Sequence, residues 1–281
     1  MLSRRELLAG GALTCTSALH AAEHFAGPLG LEIYSLRREA TADLPGTLRR
    51  IRRFGLNEVE VPGLYGRTAN AFRKELDSAG LRATAYVAQD AALREDLAAV
   101  AAQAHALGVS YVLFPWIPHS GAFTRDDAVR AADRLNAWGA TLRRDGLDLC
   151  YHPHGYEFRP APEGTLFDLL AARTDPEAVN FQFDVFWLAW PGQDPARLIR
   201  RYAARARLIH LKDLRKGVRG NLEGQAPEDT SVALGTGAID FPAVLHAAKR
   251  AGVRRYYVED EALDAAEQIP RSLAYLKSVT F

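Results

Sequence analysis

From position 29 onward, short apolar runs alternate with longer segments whose hydrophobic residues recur with the 3.6-residue period of an amphipathic helix. The short runs are rich in β-branched and aromatic residues, which is typical of strands in a parallel sheet. Because strands and helices alternate along the whole chain, the pattern predicts repeated β-α units. The eight strand-like runs cover residues 29–36, 57–63, 82–88, 110–117, 147–154, 179–187, 206–213 and 254–261.

Glycine ends most of the helical segments, and a new strand-like run follows each glycine within a few residues. A glycine just after the last helical residue accepts the left-handed backbone conformation that closes a helix. This repeated cadence favours an α/β fold consisting of one closed (β/α)8 TIM barrel over residues 28–281, rather than an open doubly wound sheet. The glycines are Gly55, Gly80, Gly108, Gly146 and Gly252.

The composition is that of an ordinary globular chain. Hydrophobic residues make up 48% of the 281 residues, charged residues make up 25%, and the formal net charge is +1. This balance lacks the strong basic bias of proteins that bind nucleic acid through its phosphates. We therefore expect a small polar ligand and no nucleic-acid partner.

The first 27 residues differ from the remainder of the chain. Arg4 and Arg5 form a twin-arginine pattern, and a short apolar stretch from Leu7 to about Leu19 follows them. That stretch is too short to cross a bilayer, which takes roughly 20 apolar residues. Residues 1–27 are thus predicted to be an export signal and linker without a stable membrane anchor. The mature protein would be periplasmic or otherwise exported, and cytoplasmic if the signal does not function.

Four residues near the ends of four successive strand-like runs carry the strongest chemical signal. They are Glu157, Asp184, His210 and Glu259. The carboxyl ends of parallel barrel strands meet at one face, where active sites of this fold lie. Three carboxylates and one imidazole suit a divalent ion and leave positions open for a substrate. We expect one Mn²⁺, Zn²⁺, Mg²⁺ or Co²⁺ ion, although strand-end carboxylates also cap helices and pair with arginine.

The fifth strand-like run leaves the choice of ligand open. Its end contains His152, His154 and Glu157, and strand alternation puts the two histidines on the same face. We favour Glu157 as the ligand and the histidines as substrate contacts or proton carriers. His152 is the alternative ligand.

Further polar and aromatic residues flank these positions. Lys212 shares a face with His210 and is placed to neutralise a developing oxyanion, and Trp187 is placed to stack on a sugar ring. Glu32 and Arg37, at the end of the first run, are expected to bind substrate hydroxyls, or else to pair with each other. The long loop at 214–240 follows the seventh strand on the same face and is expected to form a lid.

The chain resembles the sugar phosphate isomerase/epimerase family, also called the xylose isomerase-like TIM barrel family. The resemblance extends from about Leu29 to the C-terminus and rests on the motifs LEIYSLR, YHPHGYEF, FDVFW, IHLKD, LGTGAIDF and YYVEDE. It implies a divalent metal held by Glu157, Asp184, His210 and Glu259. Glu32 in the first motif and His-Pro-His in the second depart from the pattern, which affects the identity of the substrate.

The resemblance also implies a reaction. Members of the family remove a proton beside a metal-chelated carbonyl to give an enediolate, with Glu157 and Glu259 as proton carriers and His152 and Lys212 assisting. We expect an isomerase or epimerase, or a related dehydratase or 3-keto-glycoside lyase, that acts on a keto sugar or keto-glycoside. Barrels of this type often pair, so a homodimer is a further expectation. The alternatives are an endonuclease IV-like nuclease and a barrel that binds carbohydrate without catalysis.

Overall fold

The structure, a computed structural model, describes residues 23–162 and 164–281. Its centre is a closed barrel of eight parallel strands, each paired with its neighbours in chain order, with the eighth strand closing on the first. This confirms the predicted TIM barrel. The strands are β1 Leu29–Glu32, β2 Glu58–Val61, β3 Arg82–Val87, β4 Tyr111–Phe114, β5 Asp148–Tyr151, β6 Val179–Asp184, β7 Ala206–Leu211 and β8 Arg255–Val258.

Each strand lies within its predicted run, but most end before the run does. The first run, for example, leaves the barrel at Glu32 and continues as a 3-10 helix over Ile33–Leu36. Several of the predicted site residues consequently lie in loops beyond the strands.

Helices surround the barrel between consecutive strands. All five predicted closing glycines have a positive φ, between 69° and 89°, as expected at a helix end. The helices are α1 Arg37–Ala42, α2 Leu44–Arg53, α3 Ala69–Ala79, α4 Asp90–Glu95, α5 Leu97–Leu107, α6 Arg125–Arg144, α7 Leu166–Arg173, α8 Val185–Ala189, α9 Pro195–Arg201, α10 Phe241–Ala251 and α11 Ala265–Ser278.

A layer of enclosed side chains fills the barrel interior. It consists of Ala85, Leu113, Cys150, Leu208 and Tyr257. Since side chains alternate along a strand, the residues two positions further on also point inward and lie one layer nearer the carboxyl end. That next layer lines a cavity and includes Val87, Pro115, His152, His210 and Glu259.

The expected signal lies mostly outside the described residues, at positions 1–22, and its export function stays a prediction. Residues 23–27, expected to be linker, run beside the C-terminus: Glu23 exchanges two backbone hydrogen bonds with Phe281, and Phe25 packs edge-on against Tyr256. Within the described residues, no helix has the length and apolar character needed to cross a membrane.

Candidate active site

A cavity of about 530 Å³ opens at the carboxyl end of the barrel. Its size is within the usual range of small-molecule sites. The indole rings of Trp116 and Trp187 and residues 224–226 of the long loop form its walls. The polar side chains that line it are Glu32, Glu60, Gln89, His152, His154, Gln182, His210, Gln225, Glu259 and Glu261.

His152, Asp184 and His210 converge on one point at the base of this cavity. One potential ligand atom from each lies within 4.8 Å of the other two. Asp184 ends β6, and its Oδ1 accepts the backbone N–H groups of Phe186 and Trp187 at the start of α8. Its Oδ2 is buried and has no hydrogen-bond donor among the described residues. A buried carboxylate oxygen without a donor is costly, and a cation removes that cost.

Glu259 completes the group from the end of β8. Its Oε2 lies 2.6 Å from His210 Nδ1, the nitrogen that is also 3.9 Å from Asp184 Oδ2. Glu259 thus adjoins the group of His152, Asp184 and His210 through its contact with His210, so two imidazoles and two carboxylates are available at this end of the barrel. This donor set suits a borderline divalent ion such as zinc, manganese or cobalt better than magnesium, which prefers oxygen ligands.

A second buried group shares His210. Glu32 and Glu60 are register partners on β1 and β2, and their carboxylates lie within 4.8 Å of His210. Glu60 Oε1 accepts from His210 Nε2 at 3.0 Å, whereas Glu32 Oε2 has no donor among the described residues. Glu60 was not among the site residues predicted from the sequence. The signal for it was present, because Glu58 and Glu60 alternate with valine in an apolar run.

Burial and neighbouring charges divide the carboxylates into two kinds. Burial raises the pKa of Asp184 to about 8, an effect that Lys212 only partly offsets. Burial and the carboxylate of Glu60 raise the pKa of Glu32 well above its ordinary value. For Glu259, burial acts in the same direction, but Lys212 and His210 outweigh it and hold the pKa well below its ordinary value. In the absence of an ion, the site thus contains two carboxyls that favour the protonated form, Asp184 and Glu32, and one that favours the ionised form, Glu259.

Lys212 lies immediately behind the cavity surface. Its buried ammonium is 3.3 Å from Glu259 Oε1, bonds to Glu261, and packs over the rings of Phe186 and Trp187. Burial alone would lower its pKa, but the two carboxylates outweigh burial and raise it. Lys212 therefore stays charged, and it acts on the site through the carboxylates it holds.

Glu157 does not lie where the sequence analysis favoured it. The chain leaves β5 at Tyr151 and turns into a 3-10 helix over Tyr156–Phe158, which carries Glu157 away from the cavity. Its buried carboxylate instead accepts the backbone N–H groups of His154 and Gly155 and the hydroxyl of Tyr151. Burial raises its pKa to about 7, against the effect of these hydrogen bonds. His152, the alternative ligand, occupies the position at the end of β5.

The expected substrate contacts are only partly brought together. His154 and Trp187 line the cavity with ring centroids 5.1 Å apart, and burial lowers the pKa of His154 to about 4, so it is neutral there. Arg37 is not part of the cavity wall as described. It starts α1, where its guanidinium bonds to Glu228 at 2.5 Å in place of the alternative pair with Glu32.

The long loop after β7 closes one side of the cavity. Asp213, at its beginning, accepts backbone N–H groups of Leu214, Gly235, Gly237 and Ile239, which fixes the two ends of the loop together. Gly224 packs so closely on the aromatic wall that a Cβ there would lie 2.6 Å from the Tyr156 ring. The loop thus covers the cavity in the manner expected of a lid.

Replacing each candidate ligand of the fifth strand in turn tests the assignment of His152 as the ligand. We expect His152→Gln to weaken zinc binding by at least about tenfold, because a nitrogen ligand is lost. Glu157→Gln should leave zinc affinity unchanged, because its carboxylate points away from the site. Competition titration with a chromophoric chelator measures both. If Glu157→Gln weakens zinc binding and His152→Gln does not, Glu157 is the ligand from the fifth strand.

Comparison with known proteins identifies the family of the chain. A family model described as xylose isomerase-like TIM barrel matches residues 48–279, and the chain belongs to that family. Inosose dehydratase 2 of Bacillus cereus is 31% identical over 105 residues, which is 37% of this chain and 34% of the relative. Inosose dehydratase of Lacticaseibacillus casei is 30% identical over 168 residues, covering 54% and 52%. The chain thus spans about a third to a half of the curated relatives it matches.

Among solved structures, a sugar phosphate isomerase/epimerase from Parabacteroides distasonis is similar over nearly the whole barrel. The TM-score is 0.74 and the sequence identity is 26%, with 91% of this chain and 95% of the other covered.

Proposed function

We propose that the protein is a divalent-metal-dependent enzyme that acts on a non-phosphorylated keto sugar or keto-glycoside, as a dehydratase or lyase rather than an epimerase. The observation that carries the proposal is the buried, donor-free Oδ2 of Asp184, beside His152 and His210, at the base of an aromatic-walled cavity. Family membership and the relatives named inosose dehydratase support a reaction on a sugar-like substrate.

The ion would be held by His152, Asp184, His210 and Glu259. When bound there, a divalent ion polarises a carbonyl and makes the neighbouring C–H bond more acidic. The protein's own contribution is to place a base, an acid and a binding surface around that bond.

The charge of the cavity supports a neutral substrate. Glu32, Glu60, Glu259 and Glu261 line it, whereas no arginine or lysine is among the described residues that do. A sugar phosphate would bring negative charge beside Glu60, Glu259 and Glu261 with no arginine or lysine on the cavity wall to bind the phosphate, which is unfavourable in a buried site. Trp116 and Trp187 instead offer flat apolar surfaces for the C–H faces of a sugar ring.

The two kinds of carboxyl suit an elimination. Glu259, held ionised by Lys212, is placed to take the proton from carbon. Glu32, which lines the same cavity and whose buried Oε2 has no hydrogen-bond partner among the described residues, would give a proton to the departing hydroxyl, which leaves as water. Glu157 is not among the residues that line the cavity, which favours elimination with Glu259 as the base over epimerisation by Glu157 and Glu259 as opposed bases.

Hydrogen exchange tests the proposal directly. In D₂O, the manganese- or zinc-loaded protein should exchange the hydrogen beside the carbonyl of at least one 2-ketose, inosose or 3-keto-glucoside, and NMR should show loss of that signal. Chelation with EDTA should stop the exchange, and re-addition of the ion should restore it. A fully loaded protein that exchanges no hydrogen in any of these three classes would contradict the proposed function.

A further inference from the structure

A continuous chain of hydrogen bonds links the two histidines of the candidate metal group. His152 Nδ1 is 2.7 Å from Gln182 Oε1, Gln182 Nε2 is 2.5 Å from Glu60 Oε2, and Glu60 Oε1 is 3.0 Å from His210 Nε2. The four side chains come from the ends of β5, β6, β2 and β7, and all are at least nine-tenths buried. Water therefore has little access to replace any of these bonds.

In this chain of hydrogen bonds, the donor and acceptor of each bond are fixed. A carboxylate only accepts hydrogen bonds, so Glu60 requires the amide NH₂ of Gln182 on one side and the Nε2–H of His210 on the other. The carbonyl oxygen of Gln182 then faces His152, which must donate from Nδ1. His152 is left with a lone pair on Nε2. Without an ion, His210 Nδ1 donates to Glu259 Oε2 at 2.6 Å, and His210 presents a lone pair on Nδ1 once an ion displaces that proton, while its Nε2–H stays on Glu60.

We infer that Gln182 and Glu60 are positioning residues that set the tautomers of His152 and His210 so that both histidines present a lone pair to the same ion. The inference rests on the proposed metal site and deepens it, since neither residue is a ligand. Outer partners of metal-bound histidines fix ring orientation and tautomer in this way. Because Glu60 and His210 Nε2 satisfy each other, the group of Glu32, Glu60 and His210 is not a second ion site.

Glu60→Gln tests this inference, because it changes the hydrogen-bond donors and acceptors at position 60 but hardly changes the shape of the side chain. A glutamine at 60 has one acceptor and one donor end in place of two acceptors. If its oxygen faces His210, its NH₂ faces Gln182, which must turn over and direct its own NH₂ at His152 Nδ1. If its NH₂ faces His210, Nε2 must become an acceptor. Either way, one histidine carries its proton on the nitrogen intended for the ion.

A double variant that exchanges the residues at positions 60 and 182 restores the natural pattern of donors and acceptors at both histidines. In Glu60→Gln combined with Gln182→Glu, the carboxylate at 182 accepts from both His152 Nδ1–H and the new amide NH₂ at 60. The new amide oxygen at 60 then accepts from His210 Nε2–H. The donors and acceptors seen by both histidines are the same as in the natural protein, and the total charge is unchanged.

The experiment measures zinc affinity and histidine tautomers in the natural protein, the Glu60→Gln variant and the double variant. We expect Glu60→Gln to weaken zinc binding about 10- to 100-fold, and the double variant to recover most of that loss. Long-range ¹H–¹⁵N spectra should show His152 protonated on Nδ1 in the metal-free natural protein, and His210 protonated on Nε2 in the zinc form. Thermal unfolding of each variant separates these effects from loss of the fold.

Two results would overturn the inference: a double variant that binds zinc no better than Glu60→Gln, or a metal-free natural protein in which His152 is protonated on Nε2. Failure of the proposed function is distinguishable from both. If the natural protein binds no zinc, the proposed metal site is wrong. The tautomer of His152 in the metal-free protein still tests the positioning role of Gln182 in that case.

Discussion

Asp184→Asn is expected to abolish ion binding and turnover while the barrel stays folded. The asparagine oxygen can still accept the N–H groups of Phe186 and Trp187, so the start of α8 is preserved. The donor-free Oδ2, however, is replaced by an NH₂ group that cannot bind a cation. We expect zinc affinity to fall by more than the roughly 10- to 100-fold typical of losing an outer contact. Calorimetric titration and the exchange assay measure the two losses.

Asp213→Asn is the matched control for this variant. Asp213 is equally buried and lies at the end of the next strand, but its oxygens accept four backbone N–H groups and face no ion site. An amide there loses charge-assisted bonds, and we expect the free energy of unfolding to fall by about 2 kcal/mol. The folded variant should still bind zinc. Equal loss of zinc binding in both variants would show that the effect of Asp184→Asn is indirect.

Glu32→Gln is expected to separate turnover from ion binding. The backbone N–H of Tyr34 holds Glu32 Oε1, and the amide oxygen of a glutamine can keep that bond, while the carboxyl oxygen Oε2 is replaced by an NH₂ group that cannot act as an acid. Loss of a general acid costs about 10²- to 10⁴-fold in kcat. Zinc affinity and KM should change little. Steady-state kinetics on a substrate found by the exchange assay supply the test.

Arg37→Gln is the control for Glu32→Gln. The sequence placed both residues at the substrate, but the structure pairs Arg37 with Glu228 outside the cavity. Its replacement should leave kcat near that of the natural protein. If Glu32→Gln has natural kcat, or if Arg37→Gln loses as much activity as Glu32→Gln, the assignment of the acid is wrong.

The order of elements could be predicted from the sequence because each strand and helix carries its own periodicity. Eight apolar runs separated by glycine-closed helices allow few folds other than a parallel barrel. Asp184 and His210 were recognisable for a related reason: each is a polar residue in a strand that is otherwise apolar, and burial without a partner would be costly.

The strand ends and the partners across the barrel were harder to predict. The chain leaves β5 at Tyr151 and forms a short 3-10 helix over Tyr156–Phe158. Because of this turn, His152 and not Glu157 is the candidate ligand from the fifth strand. Gln182 and Glu60 meet only because the register of the closed barrel brings β2 and β6 to the same level. No local pattern encodes that contact between residues 122 positions apart.

Anomalous diffraction at the zinc edge from crystals of the zinc-loaded protein tests the central claim most directly. We expect one peak at the base of the cavity, about 2.0–2.2 Å from His152 Nε2, His210 Nδ1 and carboxylate oxygens of Asp184 and Glu259. A peak at Glu157, or one between Glu32 and Glu60 that leaves Asp184 without a ligand bond, would contradict the account.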